Sequence, residues 1–147
     1  MCKILVVDDE AEVRQSIERR LQREGFSVDT GSGPQEAIEK IKGANPPFDI
    51  VLTDMVMGEE SDAGVKVLEA AVTQDVFTEV IVLTAYGNVA NAVECMKRGA
   101  FDYVQKNAPG VDVFEDIVQK INQAMDRRRV SVGTVRRMEW FARLVQD

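Results

Sequence analysis

The sequence predicts an α/β fold: a doubly wound, five-stranded parallel sheet in the order 2-1-3-4-5, flanked by five helices. Three observations point there. Residues 4–7, 50–52 and 80–83 are short apolar runs, rich in β-branched side chains, on consecutive positions, the pattern of strands buried on both faces. Segments with apolar residues at helical spacing separate these runs. Two weaker strand segments, 26–30 and 100–104, complete a strict β-α alternation, which calls for a parallel sheet covered by helices. Right-handed crossovers leave few topologies for such a chain, and 2-1-3-4-5 is the common one.

The elements follow in order. After the first strand, Val13, Ile17 and Leu21 repeat every fourth residue and Gly25 ends the helix. Ala37, Ile38 and Ile41 mark a short second helix between Pro34 and Gly43. Val65, Leu68 and Val72 mark the third. Val89, Val93 and Met96 mark the fourth, closed by Gly99, and Phe114, Ile117, Val118, Ile121 and Met125 mark the fifth. The expected division is a domain over residues 1–126 and a basic helical extension or linker stub over 127–147.

Composition narrows the chemistry. The 147 residues include no histidine and two cysteines, Cys2 and Cys95. Serine or cysteine catalysis through an imidazole is therefore excluded, as are imidazole-ligated zinc and a disulfide framework. No apolar run approaches the length of a membrane span and the N-terminus has no signal-peptide pattern, so a cytoplasmic location and no membrane contact are expected. The net charge is −7; six arginines against three acids give residues 126–147 a charge of +3, leaving −10 on residues 1–125. An acidic body argues against direct nucleic-acid binding by the globular part.

In open α/β sheets ligands sit beyond the carboxyl ends of the strands. Strand 1 ends in Asp8-Asp9, strand 3 in Thr53-Asp54 and strand 4 in Thr84, while strand 5 leads to Lys106. In the order 2-1-3-4-5, strands 1 and 3 are neighbours, so three carboxylates converge opposite a hydroxyl and an ammonium. Taken singly, Asp9 reads as a helix cap, Thr84 as a β-branched strand residue and Lys106 as a surface lysine. Together they form one set. Close carboxylates repel and cannot all ionise cheaply, and a hard cation such as Mg²⁺ relieves this while sharing phosphate oxygens. A carboxylate nucleophile, a metal clamp, an ammonium and a hydroxyl are the parts needed to form an aspartyl phosphate.

The stretches Val6-Val7-Asp8-Asp9-Glu10, Asp54, Leu83-Thr84-Ala85-Tyr86-Gly87 and Gly99 through Lys106 resemble the receiver domain of bacterial two-component response regulators, over roughly residues 1–125. The segment from Thr84 to Lys106 looks most like receivers of the nitrogen-regulator class. The resemblance implies the flavodoxin-like version of the fold and a phosphoacceptor regulator rather than an enzyme, one that assists its own phosphorylation and dephosphorylation. Asp54 would take a phosphoryl group from the phosphohistidine of a sensor histidine kinase or phosphotransfer protein. Asp9 would bind Mg²⁺ directly, Asp8 mainly through water, and the backbone carbonyl of Val56 would complete the set with Asp54. Lys106 would pair with phosphoryl oxygens, Thr84 would hydrogen-bond them, and Tyr103 would turn inward as Thr84 moves. A homodimer through helix 4, strand 5 and helix 5 is expected on phosphorylation.

The chain departs from the family pattern in three places. Gly58 stands where proline usually follows the acceptor, and the loop to Gly64 is about two residues longer. Asn107 replaces the usual cis proline after the lysine, so Lys106–Asn107 is expected to be either a retained cis bond or a rebuilt loop. Ala108-Pro109-Gly110-Val111 lengthens the run to helix 5. Two other readings compete. A haloacid-dehalogenase-type phosphohydrolase would want Asp-x-Asp after strand 1 and leave Asp54 idle, whereas a receiver-like interaction module would never be phosphorylated. In the tail, Val135, Met138, Phe141 or Ala142, and Val145 recur at helical spacing, suiting an extension that packs on a second subunit or another domain, a basic amphipathic segment that approaches nucleic acid or a membrane surface, or a plain linker stub.

Overall fold

The computed structural model describes residues 2–146. Five parallel strands, β1 (Lys3–Val7), β2 (Ser27–Gly31), β3 (Ile50–Asp54), β4 (Glu79–Ala85) and β5 (Asp102–Lys106), form one sheet in the order β2-β1-β3-β4-β5. The helices are α1 (Ala11–Arg23), α2 (Pro34–Gly43), α3 (Ala63–Gln74), α4 (Val89–Lys97) and α5 (Val113–Gln146).

The consecutive apolar runs are explained by the two-sided core. Side chains alternate across a strand, so Leu5, Val7, Val51, Val80 and Val82 enter one layer with Ala37, Ile41, Val67, Leu68 and Cys95. Ile4, Val6, Ile50, Leu52, Ile81 and Leu83 enter the other with Ile17, Leu21, Ile117 and Ile121. Each large aliphatic side chain buried this way contributes about 1.5–3 kcal/mol, which favours β1, β3 and β4 in the middle of the sheet.

The two weaker strands lie one to two residues later than the sequence suggests. Phe26 is a half-buried residue in the turn before β2, packed against the second layer, and Ala100 is a buried turn residue after α4. Hydrophobicity marked both as strand starts, but they anchor the turns instead.

The fifth helix also differs. It runs 34 residues without interruption to Gln146, so no break marks the expected boundary at 126/127. Arg127 Nε pairs with Glu79 at 3.0 Å and Arg128 Nη2 with Asp49 at 3.2 Å, tying the start of the basic segment to the amino-terminal edge of the sheet. Arg127 also lies over the Phe101 ring, 5.3 Å from its centroid. No helix among the described residues is long and apolar enough to cross a membrane.

Candidate functional site

The carboxyl ends of the central strands hold the charged groups. Asp8 follows β1 and is fully buried, while Asp9 beside it is exposed; Asp54 ends β3 and is 8% exposed. One carboxylate oxygen from each of the three lies within 4.8 Å of the others. Backbone N–H groups hold two of the three. Asp8 Oδ1 accepts from the Glu10 N–H at 2.9 Å, tying it to the turn into α1, and the Arg14 guanidinium donates to the Asp8 carbonyl at 2.8 Å. Asp9 Oδ2 accepts from the Gly58 N–H at 2.8 Å.

Lys106 arrives from the end of β5. Its Nζ donates to Asp54 Oδ2 at 2.8 Å and to Asp8 Oδ2 at 3.2 Å. The loop behind it is rebuilt: the cis peptide among the described residues is Asn45–Pro46, and Asn107 takes a left-handed conformation at φ 58°. Asparagine tolerates that region better than most residues, so the chain turns away after Lys106 with a trans bond and still directs the ammonium at Asp54.

Thr84, near the end of β4, is 1% exposed, and its Oγ1 is buried with no hydrogen-bond partner among the described residues. An unsatisfied buried hydroxyl costs about 1–3 kcal/mol and points to a ligand that completes it. Tyr103 is half-buried. The register pairs Thr84 with Gln105, two residues from Tyr103, so both side chains leave the sheet on the same face. Tyr103 lines a groove at the sheet edge with Asp116 and Lys120. Val56 is 44% exposed and lines a cleft of about 260 Å³ with Asp54, Tyr86, Asn88, Asn91 and Lys106.

Burial first, then the neighbouring Asp8 and Asp9 charges, push the Asp54 carboxyl up to about 6 against the downward pull of Lys106. Burial works to lower the Lys106 ammonium, but its bonds to Asp54 and Asp8 outweigh that and hold it above the ordinary lysine value. The site therefore holds more negative than positive charge. Three carboxylates and a buried hydroxyl without a partner suit a hard divalent cation together with an oxyanion.

Three contributors escaped the sequence reading. Arg14 stands in no motif, and nothing in the residue pattern sets it apart from the other charges of α1. Gly58 stood out only as a missing proline, yet its φ of +60° lets its N–H face Asp9. Gly64 carries α3 past the acceptor: a Cβ there would stand 2.7 Å from both the Asp54 carbonyl oxygen and the Met55 Cα. Its displacement by the longer loop was visible, but that close approach was not.

Residues 4–117 match the response regulator receiver domain family. The acid tolerance regulatory protein ActR of Sinorhizobium medicae is 34% identical over 123 residues, covering 84% of this chain and 61% of that protein. A putative NtrX-like response regulator of Rickettsia conorii is 33% identical over 103 residues, covering 70% of this chain and 21% of the relative. The chain thus spans less than two thirds of the length of these relatives. The crystal structure of a response regulator receiver domain protein from Clostridium thermocellum superposes with a TM-score of 0.77 at 33% identity, covering 88% of this chain and 98% of that one. Sequence profile, relatives and fold agree: the chain belongs to the response regulator receiver domain family, with relatives of the nitrogen-regulator class among its matches.

Proposed function

We propose that this domain is a phosphoacceptor of a two-component phosphorelay, with Asp54 as the residue that carries the phosphoryl group. The observation that supports this most strongly is the grouping at Asp54: Lys106 Nζ at 2.8 Å, the Asp8 and Asp9 carboxylates alongside, and the unpartnered Thr84 hydroxyl. Among the described residues only Oδ2 of Asp54 is hydrogen-bonded, so Oδ1 is available as the nucleophile. The donor is the phosphohistidine of a sensor histidine kinase or phosphotransfer protein. Oδ1 forms a bond to phosphorus, the nitrogen–phosphorus bond breaks, and the imidazole leaves with the electron pair and takes up a proton.

Asp8, Asp9, Asp54 and the Val56 carbonyl would hold Mg²⁺, which supplies positive charge to the carboxylates and phosphoryl oxygens. Lys106 neutralises the acceptor before transfer and pairs with a phosphoryl oxygen afterwards. Thr84 donates its hydroxyl to another, which satisfies its orphaned oxygen. That movement vacates space on the sheet face it shares with Tyr103, and Tyr103 turns inward. The surface of α4, β5 and α5 changes as a result, and this is the face offered to a second copy or to an output domain. Incubation with acetyl phosphate and Mg²⁺ followed by intact-mass measurement tests the reading: wild type gains one phosphoryl group, and Asp54→Asn gains none. Equal labelling of the variant would overturn the assignment.

A further inference from the structure

The turn after the acceptor strand makes a contact that a proline at residue 58 could not make. Residues 55–62 leave β3 and lead to α3, and the Gly64 N–H closes this loop at its foot by donating to the Met55 carbonyl at 2.9 Å. At the tip, the Met57 N–H donates to the Glu60 carbonyl at 3.1 Å and the Glu60 N–H to the Met57 carbonyl at 3.0 Å. Gly58 and Glu59 are thus the central residues of a tight hairpin. Gly58 has φ +60°, whereas Glu59 is not among the residues of positive φ, the pattern of a hairpin turn with glycine at its first central position. The turn's own bonds use Met57 and Glu60 and leave the Gly58 N–H spare. It donates to Asp9 Oδ2 at 2.8 Å, at the end of β1. The turn itself is anchored on both sides: Met57 is buried in the core, and Glu60 pairs with Lys66 of α3 at 3.1 Å.

We propose that Gly58 is a positioning residue for the metal: its N–H holds one oxygen of Asp9, so that this carboxylate stays grouped with Asp8 and Asp54 before Mg²⁺ arrives. The inference rests on the Mg²⁺ site of the proposed function and adds to it an outer group that fixes one of the ligands. Charge placement supports the role. Lys106 Nζ bonds Asp54 and Asp8, and Asp9 receives no bond from it. Asp9 is also the exposed member of the three, free to swing into solvent away from the two carboxylates that repel it. The Gly58 N–H supplies the donor that Lys106 does not. Space does not require glycine here, because an added Cβ would meet nothing within 4 Å. The glycine serves the backbone conformation, and through it the direction of the N–H. Proline has no N–H and holds φ at about −65°, so the departure of this chain from the family pattern is what creates the contact.

Calorimetric titration of the full, unphosphorylated chain with magnesium chloride tests the proposal without any phosphoryl transfer. Gly58→Pro should weaken Mg²⁺ binding about tenfold. Gly58→Asn keeps the N–H and tolerates a positive φ, and should bind Mg²⁺ as wild type does. A folded Gly58→Pro with the affinity of wild type would overturn the proposal. So would equal weakening in Gly58→Asn, because the N–H would then not be the cause. Amide exchange in wild type decides the matter even where proline unfolds the domain. If the N–H favours the metal, the metal favours the N–H bond by the same factor, so saturating Mg²⁺ should slow exchange at Gly58 about tenfold, and unchanged exchange would overturn the proposal. Wild type that takes up no Mg²⁺ would overturn the metal site and this inference with it. Equal binding by wild type and Gly58→Pro would leave that site standing and remove only the role of Gly58.

Discussion

Replacing Asp54 with asparagine should make the metal-free protein more stable, and the gain should grow with pH. Shape and the bond to Lys106 are preserved, because an amide oxygen also accepts from Nζ. Only the charge is lost. The Asp54 carboxyl is raised from 3.8 to about 6 in the folded protein, by burial and then by Asp8 and Asp9. A folded-state value above the unfolded one means the folded protein holds the proton more tightly. Its contribution to stability is complete below pH 3.8 and is lost as pH rises to about 6. At 1.36 kcal/mol per pH unit, the penalty at neutral pH is of order 1–3 kcal/mol, a substantial part of the total stability of an ordinary domain. Urea unfolding in chelator at about pH 5 and pH 7.5 measures it. Wild type should lose roughly 1 kcal/mol more than Asp54→Asn between the two pH values. Saturating Mg²⁺ should stabilise wild type and narrow the gap. Equal stability of the two proteins at pH 7.5, with parallel pH profiles, would refute the claim that the acceptor sits in a strained acidic pocket.

Two further outcomes follow from the same geometry. Gly64→Ala should destabilise the domain by more than about 2 kcal/mol, because its Cβ would stand 2.7 Å from the backbone of Asp54 and Met55; thermal unfolding measures the loss, and a change within 0.5 kcal/mol would contradict the close packing of α3 on the acceptor strand. Lys106→Ala removes the group that pulls the Asp54 carboxyl down, so the carboxyl resonance of Asp54 should titrate above about 6, and phosphorylation by acetyl phosphate should slow.

Much of this arrangement is legible in the sequence, for a physical reason. Strands buried on both faces must be apolar at every position, so β1, β3 and β4 announce themselves. Once their order is deduced, the residues that end them fall at one edge of the sheet. Asp8, Asp9, Asp54, Thr84 and Lys106 could therefore be placed together before any coordinates. The edge strand β5 has only one buried side chain of five, Val104, and its limits were correspondingly blurred. Contacts made by backbone groups left no trace in residue types: the Gly58 N–H on Asp9 and the tight passage of Gly64 depend on loop conformation. Arg127 and Arg128 show the same limit in another way. A run of arginines here reads equally as a helical extension or a linker stub, because charge pattern cannot show that Glu79 and Asp49 stand at the sheet edge to receive two of them.

The central claim is that Asp54 carries the phosphoryl group. An acyl phosphate is reduced by borohydride to the corresponding alcohol, leaving homoserine in place of aspartate, and peptide mass spectrometry then reads the position. After treatment with acetyl phosphate and Mg²⁺, homoserine should appear at residue 54, and it should vanish when Mg²⁺ is chelated. Homoserine at Asp8, Asp9 or any other aspartate, or its absence from residue 54 in protein that has gained phosphoryl mass, would contradict the account.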